Sequence, residues 1–198
     1  MIIVAHPSFA ARSFKDFIAI AKARPGEIGF ATSGNGTTGH LGGELLKSVV
    51  KINLVHIPYK GSAPAIADVL GGQVPITLDG LPAALPHVQA GKLTALAVMS
   101  TERSPLLPAV VTVAESGFPG YSADSWFGFV VPAKTPASVV KQLNADMVKV
   151  VKLPEIRDRL TAMAYRPIAN TPEEFDAFIR AEIAKWAKVI KDSGARLD

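Results

Sequence analysis

The sequence GFATSGNGTTGHL, residues 29–41, has the pattern of a short strand, a glycine-rich turn and the first turn of a helix. Glycine reaches positive φ angles and allows the backbone to approach another group closely. The helix that follows presents N–H groups without intrahelical partners and the positive end of its dipole. The stretch therefore predicts a binding site for an anionic or strongly polar small molecule.

The same glycines leave two other interpretations open. Gly34, Gly36 and Gly39 satisfy the G-x-G-x-x-G pattern of dinucleotide-binding loops. That pattern also requires an acidic residue at the end of the next strand, and residues 53–61, NLVHIPYKG, contain none. A nucleotide-binding module remains an alternative, and so does a structural role in which the glycines serve only close packing of helix against strand.

Outward from this stretch, apolar runs and helical patterns alternate along the chain. The predicted strands are residues 1–5, 28–32, 53–57, 74–78 and 94–99. Strands that alternate with helices indicate an α/β fold, a parallel sheet with helices on both faces. Ligands of such sheets bind where the strands end. The polar, glycine-rich ends are residues 32–38, 59–62 and 79–80.

The second part of the chain has a different pattern. Residues 103–121 are rich in proline and glycine and predict a crossing between two lobes, and residues 124–131 predict a further strand. Helices are expected to begin near Pro136, Pro154 and Thr171. Thr171, followed by proline and with glutamate three residues on, forms a capping box.

Composition limits the function. Of the 198 residues 48% are apolar, which indicates a folded globular chain, and the absence of cysteine excludes disulfides and thiolate metal sites. The net charge of +4 is spread out, which argues against nucleic acid as a partner. The histidines lack metal-site spacing, so no metal site is expected. No cofactor is predicted.

Several motifs in fixed order resemble the Bug family, the periplasmic solute receptors of tripartite tricarboxylate transporters. The similarity covers essentially the whole chain. Its motifs are SGNGT at residues 33–37, HIPYKG at 56–61, DGLP at 79–82, TVAESG at 112–117 and SWFG at 125–128.

This resemblance implies a two-lobed Venus-flytrap receptor of the periplasmic binding protein type II fold. Such a receptor would bind a small carboxylate or amino acid in the periplasm and deliver it to membrane permease subunits without performing chemistry. No signal peptide stands at the start of the sequence.

The resemblance also implies that the chain is N-terminally truncated and that its first lobe is incomplete. Residues 6–122 would form the second lobe, and residues 1–5 with 123–198 would be a remnant of the first. The remnant is expected to expose apolar side chains around Phe127, Phe129 and Val131, and therefore to self-associate.

The ligand-binding residues are expected on the three polar strand ends. Tyr59 is expected to offer its hydroxyl to the cleft, Ser62 to cap the helix that follows it, and Asp79 to bind a ligand amine or an ordered water. The predicted site residues are Thr32, Ser33, Gly34, Asn35, Gly36, Thr37, Thr38, Tyr59, Gly61 and Asp79.

No catalytic residue is predicted. A hydrolase or transferase of small acyl substrates remains an alternative, but Ser33 lacks the G-x-S-x-G context of a nucleophile elbow, and no pair of carboxylates stands out for acid–base chemistry.

Overall fold

A computed structural model describes residues 1–196 and divides the chain into two compact units. The first unit comprises Met1–Ser125 together with the residues from Val189 onward, and the second comprises Trp126–Lys188. The strands of the first unit are β1 (Ile2–Ala5), β2 (Gly29–Thr32), β3 (Val55–Pro58), β4 (Ile76–Asp79) and β5 (Thr94–Val98). Its helices are α1 (Phe14–Ala23), α2 (Thr38–Val50), α3 (Ser62–Leu70) and α4 (Leu81–Gln89).

The five strands form one sheet in the order β3-β2-β4-β1-β5. β2 pairs in parallel with β3 and β4, so these three strands end at the same edge of the sheet. We call this edge, with the loops that leave it, the carboxyl edge. β1 runs antiparallel to both of its neighbours, so the sheet is mixed where the sequence predicted a parallel one.

β1 also corrects the expected grouping of residues 1–5 with residues 123–198. Ile2–Ala5 pair with β4 on one side and with β5 on the other, inside the first unit. Their side chains are fully buried. A short apolar strand that is buried on both faces has the same sequence pattern in either direction and in any sheet, so the pattern alone does not predict its neighbours.

Helix α2 lies very close to the sheet because it carries glycines on the face that it buries. A Cβ on Gly39 would lie 2.5 Å from the carbonyl oxygen of Leu78, and one on Gly43 would lie 2.5 Å from the ring of Phe30. Glycine within a helix costs about 1 kcal/mol relative to alanine. Close packing offsets this cost and holds the start of α2 beside the ends of β2 and β4.

The second unit contains α5 (Ala137–Lys152), α6 (Pro154–Ala162) and most of α7 (Pro172–Ser193). The predicted capping box of α7 is confirmed: the Thr171 N–H donates to Glu174 Oε2 at 2.8 Å, and the Glu174 N–H donates to Thr171 Oγ1 at 3.2 Å. Both bonds satisfy amides that the helix itself leaves without acceptors.

The predicted strand at residues 124–131 is wrong. These residues form no ladder with any other segment of residues 1–196. An apolar extended segment becomes a strand only when a second backbone pairs with it. Phe127 and Phe129 are 80% and 82% exposed, which confirms the expected apolar exposure. No helix within residues 1–196 has the length and apolar character needed to cross a membrane.

Candidate functional site

The carboxyl edge brings the three predicted strand ends together. The Tyr59 N–H donates to the Thr32 carbonyl oxygen at 3.0 Å, and the Gly61 N–H donates to the Ser33 carbonyl oxygen at 3.0 Å. The Ser62 hydroxyl donates to Asp79 Oδ1 at 2.7 Å. These bonds connect the loop after β2 to the loop after β3, and the start of α3 to the end of β4.

Two glycines shape residues 32–38, which we call the glycine-rich loop. Gly34 and Gly36 have φ angles of 140° and 69°, which L-residues with side chains rarely adopt. A Cβ on Gly34 would lie 3.1 Å from the Tyr59 carbonyl oxygen. The Thr37 hydroxyl donates to the Gly34 carbonyl oxygen at 2.7 Å, which closes the turn.

The glycine-rich loop leads directly into the N-terminus of α2. Thr37 is the N-cap, and its oxygens accept from the N–H groups of His40 and Leu41. Helix geometry leaves the amides of Thr38 and Gly39 without an intrahelical acceptor. Their partial positive charge and the helix dipole favour a carboxylate or another anion at this position.

Asp79 ends β4 and is 4% exposed. Its Oδ1 atom accepts from the Ser62 hydroxyl and from the Gly80 N–H, the latter at 2.6 Å. Its Oδ2 atom is buried and has no hydrogen-bond partner among residues 1–196. A buried carboxylate oxygen without a donor is costly, so Oδ2 is suited to accept from a water molecule, a hydroxyl or an ammonium group.

The structure gives Tyr59 and Ser62 different roles from those the sequence predicts. The Tyr59 hydroxyl donates to Asp68 Oδ2 at 2.6 Å, and this bond, together with burial, raises the pKa of Tyr59 to about 12. The Tyr59 hydroxyl therefore donates its hydrogen to Asp68 of α3. Gly61, not Ser62, is the N-cap of α3, and it makes no side-chain cap bond. Ser62 instead bonds to Asp79.

Sequence reasoning missed two histidines beneath the glycine-rich loop. The rings of His40 and His56 stack with their centroids 3.9 Å apart and an angle of 8° between them. His40 Nδ1 accepts from the Gly36 N–H at 3.0 Å, and His56 Nε2 lies 2.6 Å from Thr32 Oγ1. No local sequence pattern indicates this pair, because the pairing of β2 with β3 sets His56 opposite Phe30.

The pKa of His56 is strongly lowered. Burial is the largest cause that lowers its pKa to about 4, and the positive charges of His40, when protonated, and Lys47 contribute the rest of this shift. His56 is therefore neutral near neutral pH. Residues 1–196 contain no group of three or more histidine or acidic side chains placed to hold a metal ion.

A sheet whose parallel strands end in a glycine-rich loop and helix N-termini is the arrangement of a module that binds a small molecule. The sequence profile of the tripartite tricarboxylate transporter family receptor matches residues 1–195. The chain belongs to this family, as the Bug-type motifs indicated. The family is one of transport receptors and not of enzymes, which gives no support to the hydrolase and transferase alternatives.

Individual relatives are similar over nearly the whole chain. Protein BugT of Bordetella pertussis is 38% identical over 199 residues, which are 100% of this chain and 60% of BugT. The R. palustris protein Rpa4515, solved with adipate, is 36% identical with a TM-score of 0.88; the match covers 98% of this chain and 65% of Rpa4515.

MatC of Rhodopseudomonas palustris, solved with bound malate, is 27% identical with a TM-score of 0.81, and the match covers 96% of this chain and 65% of MatC. This chain therefore spans less than two thirds of the length of these relatives.

Proposed function

We propose that this chain provides the ligand-binding carboxyl edge of a receptor for a small carboxylate, serving a tripartite tricarboxylate transporter. The observation that carries this proposal is the convergence of the glycine-rich loop, the β3–α3 connection and Asp79 at one edge of the sheet. Membership of a transport-receptor family supports it. The predicted site residues are retained as the proposed ligand contacts, with two exceptions. Tyr59 contributes through its backbone, and Thr32, which is fully buried, contributes through its bonds to Gly34.

The ligand is proposed to be a dicarboxylate. Two relatives were solved with adipate and with malate. Each of these ligands carries two carboxylates on a short carbon chain. The N-terminus of α2 suits one carboxylate. Asp79 Oδ2 repels a second negative charge but accepts from a hydroxyl or a bridging water. An amino acid, whose ammonium group would bind Asp79 Oδ2 directly, is the competing ligand class.

The cellular location and the partners of the protein are proposed from its family membership. We propose that residues 1–122, which lie in the first unit, form the second lobe of the receptor, so that β1 joins residues 6–122. The receptor would act in the periplasm and present its ligand to membrane permease subunits. The exposed side chains of Phe127 and Phe129 support self-association of the chain as it stands.

Two glycine variants test the proposed site by calorimetric titration with adipate, malate and glutamate. Gly36 and Gly91 have φ angles of 69° and 68°, so alanine imposes the same backbone strain at both positions. Gly36 lies in the glycine-rich loop, whereas Gly91 lies in the turn after α4. We expect Gly36→Ala to weaken dicarboxylate binding by about tenfold or more, because it moves the loop amides.

Gly91→Ala should bind as tightly as the parent chain. Equal affinities of the parent and Gly36→Ala would contradict the proposed site. A folded parent that binds glutamate, which carries an ammonium group, but neither adipate nor malate would replace the proposed ligand class with amino acids.

A further inference from the structure

The stacked histidines are linked to both glycines of the glycine-rich loop, His40 directly and His56 through Thr32. His40 Nδ1 accepts from the Gly36 N–H. His56 exchanges a hydrogen bond with the Thr32 hydroxyl, and Thr32 Oγ1 lies 3.3 Å from both the N–H and the carbonyl oxygen of Gly34. His40 therefore holds the loop through a direct bond to Gly36, and His56 holds it through Thr32.

The bond to Gly36 requires a particular protonation state of His40. A nitrogen that accepts an N–H bond carries no proton, so a neutral His40 ring bears its proton on Nε2. A proton added to Nδ1 would place two donors face to face, 3.0 Å apart. The bond would then be lost and the Gly36 amide displaced.

Burial opposes a positive charge on either ring. His40 is 7% exposed, and the centroid of the His56 ring lies 5.1 Å from that of Phe30. Lys47 of α2, which pairs with Glu44 at 2.8 Å, adds a positive charge near His56.

Two other elements contact the pair or the helix that carries His40. From β2 the pair contacts Phe30 and Thr32, neither of which titrates. β4, against which α2 packs, ends in Asp79, whose Oδ1 atom is held by Ser62 and Gly80.

We propose that the His40–His56 pair positions the glycine-rich loop for its ligand while both rings are neutral, and that protonation of the pair releases the loop. If the loop binds the ligand, its release on acidification also releases the ligand, and this step rests on the proposed function. The positioning of the loop by the pair does not rest on it. Because the ring centroids are 3.9 Å apart, one proton on the pair opposes a second, so the pair responds as a unit.

The test of loop positioning is an amide and imidazole NMR titration of the ligand-free chain from neutral pH to about pH 4. In the parent, the Gly36 and Gly34 amide resonances should shift with the same midpoint as the His40 ring resonances. His87→Asn, which replaces a histidine of α4, is the control and should leave this titration unchanged.

Two variants of similar size separate a positioning role from mere packing. In His40→Asn, Oδ1 occupies the place of Nδ1 relative to the backbone and accepts from Gly36, but it does not titrate. Its Gly36 amide should resemble the parent's at neutral pH and should stay there on acidification. In His40→Leu the acceptor is missing, so the Gly36 amide should be displaced at every pH.

The proposal is overturned if the Gly36 amide does not follow the titration of His40, or if it titrates in His40→Asn as in the parent. The ligand step is tested by adipate affinity of the parent and of His40→Asn at each pH, since protonation of adipate itself affects both equally. At the pH where the ring resonances show His40 to be protonated, the parent should have lost at least tenfold more affinity than His40→Asn.

Equal losses in the two proteins would overturn the ligand step. Failure of the parent to bind adipate at any pH would refute the proposed function and the ligand step with it, and the amide titration would still decide the positioning of the loop.

Discussion

His56 lies between the rings of Phe30 and His40, and its imidazole is partly withdrawn from water. Burial, together with the charges of His40 and Lys47, lowers its pKa from 6.5 to about 4. Between these two values the unfolded chain binds a proton at His56 that the folded chain does not bind. The free energy of unfolding therefore decreases as pH falls through this window, and the contribution of His56 is fully present above it.

Replacing His56 by glutamine should remove this contribution. Glutamine reaches Thr32 with an uncharged side chain, so His56→Gln should lose less stability than the parent between about pH 6.5 and pH 4. Urea unfolding of both proteins across this range measures the difference, and groups common to both cancel. Parallel pH profiles of the two proteins would contradict the lowered pKa of His56.

Other residues of the carboxyl edge show which part of a site can be predicted from sequence. The loop glycines and Asp79 were predictable because they immediately follow apolar strand patterns. The bond between Ser62 and Asp79, and the stack of His40 on His56, join residues 17 and 16 positions apart. Such contacts depend on the order and register of strands, which no local pattern contains.

At the level of elements, α2 depends on glycines that a helix would ordinarily exclude. Gly43→Ala should lower the free energy of unfolding by about 1–3 kcal/mol, although alanine is the better helix former. The new Cβ would lie 2.5 Å from the ring of Phe30, which is fully buried and cannot move aside. Chemical denaturation followed by circular dichroism measures this change.

Ser48→Ala is the matched control within the same helix. Ser48 is exposed, so alanine should leave stability unchanged or raise it slightly. If Gly43→Ala were as stable as Ser48→Ala, the close contact between α2 and β2 would be wrong.

The bounds of the five strands and the starts of α5, α6 and α7 were predictable to within one or two residues, because prolines, caps and turn residues mark them. Thr171 caps α7 as expected. The antiparallel direction of β1 and the absence of strand pairing at residues 124–131 were not predictable. Both depend on which other backbone pairs with the segment, and an apolar run alone does not specify that partner.

For the whole molecule, the exposed apolar side chains of the second unit predict self-association. Phe127, Phe129 and Val130 are each about 80% exposed, an unusual concentration of apolar surface for a monomer in water. Sedimentation equilibrium should show an average mass that rises above 20.9 kDa with concentration. Phe127→Ser combined with Phe129→Ser should reduce this association.

The control for this measurement is Val49→Ser, which replaces an exposed apolar residue of α2 and should leave the association unchanged. A parent chain that stays at 20.9 kDa across the accessible concentration range would contradict the prediction.

The central claim, that the carboxyl edge binds a small dicarboxylate, is tested most directly by an NMR titration of the chain with adipate. Binding should shift the amide resonances of residues 32–38, 59–62 and 79–80 in a saturable manner and leave those of α5 and α6 unchanged. A folded chain whose carboxyl-edge amides do not respond to adipate or malate, or whose shifts fall elsewhere, would contradict the claim.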